Sequence, residues 1–216
     1  MDGQPLPQSR HKQTPSKKTY ILLHKPRRVI TTNRDPQGRT TVLDLVNLPP
    51  AICKRLFPVG RLDADSTGLI LLTNDGELAN RLTHPRYEVP KQYRVSIRGR
   101  LTDDDVKKLQ QGLYLAHKTT DRQPRTKRAA MARVKLLGHE RDRARGDRTN
   151  LLVTLHEGQN REIRRMIARL GHKVRRLERI AIGPLKLKGL AVGQWRMLTT
   201  TEVKRLYKTT ALEPPS

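Results

Sequence analysis

From Tyr20 onward the apolar residues fall into short blocks whose periods alternate between those of strands and those of helices. "YILLHKP" is a β-prone run closed by Pro26. "VITT" (Val29 to Thr32) and the turn "DPQGR" after it predict a hairpin. "TVLDLV" offers a short helix before the Pro49-Pro50 break. "GLILLT" reads as a buried strand and "NDGELANRL" as a helix after it, with Asn74 and Glu77 spaced as a capping box. "KQYRVSIRG" alternates through Tyr93, Val95 and Ile97, the period of a half-buried strand. Thr102 then caps "DDDVKKLQQG", a helix ending at Gly112.

Further on come strands "MARVKLLG", "LLVTLHEG", "VRRLERIAIG" and "GQWRMLT", and helices "REIRRMIARLG" and "EVKRLYK". "HERDRARGDR" carries no apolar period and is expected to be a loop or hairpin tip. Strands and helices that alternate with hairpins predict an α+β fold with a mainly antiparallel central sheet and flanking helices. Residues 1–18, rich in Pro, Gln, Ser and Lys, cannot bury enough surface to order and are expected to be a basic disordered arm. One catalytic-size unit of two subdomains is expected over residues 19–208, with a flexible tail over 209–216.

Charge narrows the partner. The 216 residues include 45 Lys and Arg against 20 Asp and Glu, a formal net charge of +25. Such a surface favours phosphate-rich partners, with a purely solvated basic surface or an anionic membrane as the bland alternatives. Aromatics make up only 3% of the chain, which argues against a broad stacking platform for single strands. Cys53 stands alone, so neither an internal disulfide nor a cysteine-rich zinc site is available. No apolar run approaches membrane-spanning length, and the expected location is the cytoplasm.

Asp63 sits between Arg61 and a run of large aliphatics, where an ionised carboxylate is costly. Two accounts fit it: a turn or cap residue ahead of the strand, or a carboxylate kept ionised and nucleophilic by a nearby arginine. The helix from Arg161 supplies candidates for that partner. Ile163, Met166, Ile167 and Leu170 share one face, Arg161, Arg165 and Arg169 form a stripe opposite, and Arg164 lies at the boundary. Asp63, Asp65 and Asp75 could be imagined as a metal cluster, but Asp75 fits a helix start and Asp65 a turn, so no metal is expected.

Together "GRLDADSTGLILLTNDGELANRLTHP", "KQYRV", "EGQNREIRRM" and "RLERIAIGPLKLKGLAVGQWRML" resemble the RsuA family of pseudouridine synthases, which includes RluB, RluE and RluF. The resemblance implies a pseudouridine synthase fold with a basic catalytic cleft, no cofactor and no metal. It implies that Asp63 is the nucleophile, that Tyr93 packs on the target base and assists removal of the C5 proton, and that Arg164 pairs with Asp63. Arg61 would hold the target nucleotide out of its stack, and Ile163 and Leu177 would be apolar walls, or equally core residues; the Arg161, Arg165 and Arg169 stripe, read from the helix pattern, is a solvated or RNA-binding surface. Gln159 and Glu162 depart from the family pattern and are expected to tune RNA contacts. About twenty residues precede the matching region, too few for the S4 module many members carry, which places the chain nearest the RluE branch. The implied activity is conversion of uridine to pseudouridine in ribosomal RNA, most directly 23S, by a monomer acting on RNA or an assembly intermediate. The alternatives are a 16S target or a noncatalytic ribosome-assembly protein.

Overall fold

The computed structural model describes residues 17–117, 125–141 and 146–213. Its main sheet has the strand order β11-β1-β3-β9-β4-β8-β7. The strands on that path are β1 (Tyr20–Lys25), β3 (Thr67–Thr73), β4 (Lys91–Arg98), β7 (Arg133–Glu140), β8 (Arg148–Leu155), β9 (Lys173–Ile182) and β11 (Trp195–Met197). β2 (Phe57–Val59) pairs with β3, β10 (Leu185–Lys186) pairs with β9, and β5 (Leu113–His117) with β6 (Arg125–Ala129) forms a separate ribbon. Every pairing is antiparallel except β3 with β9, where only Thr67↔Glu178 and Gly68↔Arg179 are in register. This short parallel joint connects two halves of the sheet, each with its own core. The fold is α+β.

The two halves differ in how their strands are covered, and the sequence pattern follows from that. β1 and β3 are buried on both faces, which is why "YILL" and "GLILL" are unbroken apolar runs. On one face Leu22, Leu69 and Leu71 pack under α2 (Gly76–Thr83) and α5 (Thr200–Thr209). On the other, Ile21, Leu23, Ile70 and Leu72 pack under the 29–56 segment through Val29, Val42, Val46 and Leu56. β4 and β8 are covered on one face only and alternate accordingly. Tyr93, Val95 and Ile97 meet Leu109 of α3 (Asp103–Gln111) and Ile163, Met166 and Ile167 of α4 (Glu162–Arg169). Thr102 caps α3 as expected, and does so in a capping box with Asp105, a device that stabilises a helix by about 1 kcal/mol.

Three local expectations fail, each for a physical reason. Residues 26–41 do not form a hairpin; the only pairing there is the isolated bridge Ile30↔Thr41, and it is parallel. The chain instead curls around the Lys25 ammonium, which donates to the carbonyls of Pro26 and Val29 at 2.8 Å each. "TVLDLV" is a turn rather than a helix: the Asp44 carboxylate takes the Thr41 amide at 2.7 Å as at a helix start, but the only helix-like bond that follows is the tight Val46 N to Leu43 O bond at 3.1 Å before Pro49 stops the helix. Pro50 does not break a helix there but opens the one-turn helix α1 (Pro50–Cys53).

The α2 cap is Asp75, not Asn74. The Asn74 side chain instead accepts from the Thr19 amide and donates to the Lys17 carbonyl, tying down the entry to β1. The β7–β8 pairing runs out to Glu140↔Arg148, so both ends of "HERDRARGDR" are paired strand. Residues 1–16 of the expected arm, 118–124, 142–145 within "HERDRARGDR", and 214–216 of the expected tail lie outside the described residues.

Candidate active site

Asp63 lies on the connection from β2 to β3, and that connection is pinned at several points. Ser66 N bonds to Asp63 O at 3.0 Å, closing a turn. The backbone of Leu62 is held through the Thr31 hydroxyl, which donates to the Leu62 carbonyl at 2.9 Å and accepts from its amide at 3.3 Å. The Ala64 carbonyl takes the Arg28 amide at 2.6 Å and the Lys25 ammonium at 3.4 Å. The segment expected to be a hairpin therefore serves as a clamp on the aspartate loop.

Two arginines from the start of α4 meet two aspartates of that loop. Arg164 Nε is 3.6 Å from Asp63 Oδ2, while its Nη2 is 3.2 Å from Asp65 Oδ2 and 3.2 Å from the Ser66 hydroxyl. Arg161 Nη1 is 3.6 Å from Asp63 Oδ2 and 3.4 Å from Asp65 Oδ1. Arg164 thus contacts Asp63, as expected from the helix pattern, but at salt-bridge range, and its closer partners are Asp65 and Ser66. Burial pushes the Arg164 guanidinium down, offset in part by Asp65 and Asp63. The Arg164 side chain is 12% exposed and that of Asp63 28%, so the carboxylate sits in a cleft open to substrate rather than in the near-sealed pocket its aliphatic neighbours suggest.

The cleft has a cavity of about 310 Å³ lined by Arg61, Asp63, Tyr93 and Arg161, with Leu82 and Ile182 as apolar walls. Ile163 and Leu177 line a smaller hollow that shares Asp63 and Tyr93 with it. Both are also core residues, so they form wall and scaffold at once. Arg165 and Arg169 point elsewhere. They border a separate hollow beside β5, and Arg165 donates to the Ala116 carbonyl. The arginine stripe therefore divides: Arg161 faces the aspartates, while Arg165 and Arg169 face the outer surface.

Glu162 is 5% exposed, so it does not face RNA directly. Its carboxyl, pushed up by burial, accepts from the Gln159 amide at 2.8 Å and holds the loop that carries Arg161. Asp75 is bonded to Tyr20, Tyr207 and the Leu78 amide as the α2 cap, and does not join Asp63 and Asp65.

Sequence reasoning missed Asp65 and Ser66 as partners of Arg164, and Lys91 and Arg179 as cavity residues. A signal existed for the last two. Lys91 precedes Tyr93 by two positions on one strand and so shares its face. Arg179 occupies an inward position of β9 between Leu177 and Ala181, all three buried, where a charge needs a reason.

A family profile described as RNA pseudouridylate synthase matches residues 19–169. An uncharacterized RNA pseudouridine synthase of Aquifex aeolicus is 39% identical over 214 residues, spanning 99% of this chain and 76% of the relative. The ribosomal large subunit pseudouridine synthase B of Bacillus subtilis is 42% identical over 189 residues, spanning 87% of this chain and 70% of the relative. Among solved structures, a pseudouridylate synthase superposes with a TM-score of 0.69 at 29% identity, covering 88% of this chain and 74% of that one. Sequence and fold agree, and the chain belongs to the RNA pseudouridylate synthase family.

Proposed function

We propose that the protein isomerises a specific uridine of ribosomal RNA to pseudouridine, with Asp63 as nucleophile and the large-subunit 23S RNA as target. The observation that carries this reading is one cavity, sized for a single nucleoside, that presents Asp63 and Tyr93 together beneath a basic rim. The family match supports the reaction. The B-type relatives, named for the large ribosomal subunit, support that target.

The reaction exchanges one bond for another within a nucleotide. The C1′–N1 bond breaks, the base turns, C1′–C5 forms, C5 loses a proton and N1 gains one. Asp63 serves the sugar side of this exchange, and its arginine partners hold the carboxylate in place against the β3 turn. Tyr93 packs on the base, its position fixed by the core that β4 shares with α3 and α4. Unstacking the target costs a few kcal/mol, so a loop or irregular stem is favoured over a regular helix. Arg61, exposed at the mouth, takes the place the base leaves, and Arg165 and Arg169 add phosphate contacts on the outer surface. The working form is a cytoplasmic, metal-free monomer; among the described residues no helix is long and apolar enough to cross a membrane.

The test is tritium release from RNA labelled at uridine C5. Wild-type protein releases label from 23S transcripts or a large-subunit assembly intermediate. Asp63→Asn binds the same RNA within about twofold and releases none. Binding without release by the wild type would mark a noncatalytic assembly factor, and release from 16S RNA alone would move the target.

A further inference from the structure

The cavity holds more positive charge than Asp63 can balance. Arg179 stands directly opposite Tyr93 in the β4–β9 register, and Lys91 lies two positions before Tyr93 on β4. All three side chains line the same cavity. Arg179 is 3% exposed; its Nε donates to the Leu69 carbonyl at 2.8 Å and its Nη1 to the Arg61 carbonyl at 3.3 Å, but its buried Nη2 has no partner. Lys91 Nζ has one long bond, 3.4 Å to the His156 carbonyl. Burial, with Arg179 adding repulsion, pushes the Lys91 ammonium down to about 8. The cavity's carboxylate, Asp63, is engaged by Arg161 and Arg164.

A buried donor left without an acceptor costs about 1–3 kcal/mol, and two mutually repelling cations add to that cost. The arrangement becomes favourable when an anion or strong acceptor occupies the cavity. Leu82 and Ile182 line the same space, which suits a flat ring with polar edges better than a fully hydrated phosphate. The proposed reaction generates such a species. When C1′–N1 breaks heterolytically, the electron pair stays with the base, and the negative charge spreads over N1 and the two carbonyl oxygens of uracil.

We propose that Lys91 Nζ and Arg179 Nη2 form a cationic cradle that stabilises the detached uracil anion while it turns between its two attachments. This rests on the pseudouridine synthase reading. The cradle neither gains nor loses a proton: the ring's electron pair forms C1′–C5 as the Asp63 oxygen–C1′ bond breaks and returns the carboxylate, the C5 proton passes to solvent with the assistance of Tyr93, and N1 takes up a proton from solvent. Donors fixed where charge develops act without reorganising, and removal of one such donor typically lowers the rate by about 10²–10³-fold.

The test uses Lys91, because Arg179 also bonds across the joint between β3 and β9. Lys91→Met keeps the length of the side chain and removes a charge that burial already disfavours. In single-turnover reactions at saturating protein, Lys91→Met lowers conversion of uridine RNA about 100-fold, with RNA affinity within about threefold of wild type; Lys91→Arg recovers most of the rate. RNA carrying 5-fluorouridine at the target separates base stabilisation from positioning. The fluorine stabilises the detached anion by induction, so the Lys91→Met deficit, followed by nucleoside analysis of the consumed base, shrinks to about tenfold or less. Three outcomes overturn the cradle: weaker binding with an intact saturated rate, which describes a phosphate clamp; an equal deficit on both RNAs, which describes positioning; or no deficit. Failure of wild-type protein to convert uridine RNA would sink the pseudouridine synthase reading itself and the cradle with it.

Discussion

The backbone of Arg179 passes so close to Gly68 that a β-carbon on Gly68 would lie 2.3 Å from the Arg179 carbonyl oxygen. Gly68 also has a φ of +114°, a conformation L side chains rarely adopt. The two residues form one of the two register pairs in the parallel β3–β9 joint, and the joint connects the two halves of the sheet. Gly68→Ala therefore combines overpacking with backbone strain, each worth about 1–3 kcal/mol. The expected loss is about 3 kcal/mol or more in urea unfolding, with activity falling because Arg179 and the Asp63 turn are displaced together. Gly76→Ala is the control, since nothing lies within 4 Å of its added carbon.

Arg164 is nearer to Asp65 and Ser66 than to Asp63. Its role follows as positioning: it fixes the turn that carries Asp63, the proposed nucleophile. Arg164→Ala is expected to lower single-turnover conversion about 100-fold, the scale of a misplaced reactive group, with little change in RNA affinity. Asp65→Asn keeps the shape but weakens one ion pair, and should lose about tenfold. Rates for Asp65→Asn equal to wild type, alongside a normal Arg164→Ala, would separate this ion-pair group from catalysis.

Much of this site was legible because its parts lie on regular elements. The alternation of "KQYRVSIRG" places Tyr93 inward, and the apolar face of "REIRRMIARL" leaves Arg164 at the boundary, where it meets the aspartate loop. Segment 26–46 was misread because its order is tertiary. Val29, Val42 and Val46 are apolar to fill a core, and Lys25 satisfies carbonyls that a hairpin would have paired across strands. Local propensity carries no trace of a buried ammonium. The Arg179–Tyr93 pairing depends on a β-bulge and on strands far apart in sequence, which strand patterns alone do not fix.

Lys25 gives that buried ammonium a pH signature. It is 0% exposed, and burial pushes it down to about 8, partly countered by Asp63 and Asp65. Below about 8 the group is charged in both folded and unfolded chains, and the cost of burying the charge is fully present. Between about 8 and its ordinary value of 10.5 the unfolded chain holds the extra proton, so this residue's contribution makes the fold more stable as pH rises. Lys91 contributes in the same direction. Tyr20 and Tyr207, raised chiefly by burial, oppose the trend only above about 10, where unfolded tyrosines ionise. Urea midpoints at pH 7.5, 8.5 and 9.5 should therefore show the stability of wild type rising relative to that of Lys25→Met. A difference that stays flat or reverses would mean that Lys25 is not titrating in the fold.

Asp75 anchors the opposite side of the same half of the sheet. It caps α2 through the Leu78 amide, accepts from Tyr20 at 2.9 Å and from Tyr207, and lies 3.6 Å from Lys18. One carboxylate thus ties β1, α2 and α5 together in a buried cluster. Asp75→Ala removes the cap, worth about 1 kcal/mol, and leaves the Tyr20 and Tyr207 hydroxyls, 2.9 Å apart, only each other, so that one buried donor is stranded at about 1–3 kcal/mol. The expected loss is about 3 kcal/mol in urea unfolding. Tyr207→Phe, which removes a hydroxyl without stranding the carboxylate, should cost only about 1 kcal/mol. The pair of values tests the argument by their difference: equal losses would show that Asp75 contributes through packing, whereas a threefold gap follows from its three acceptor bonds. Both variants leave Asp63, Tyr93 and Arg164 in place, so at temperatures where they remain folded their single-turnover rates should match wild type.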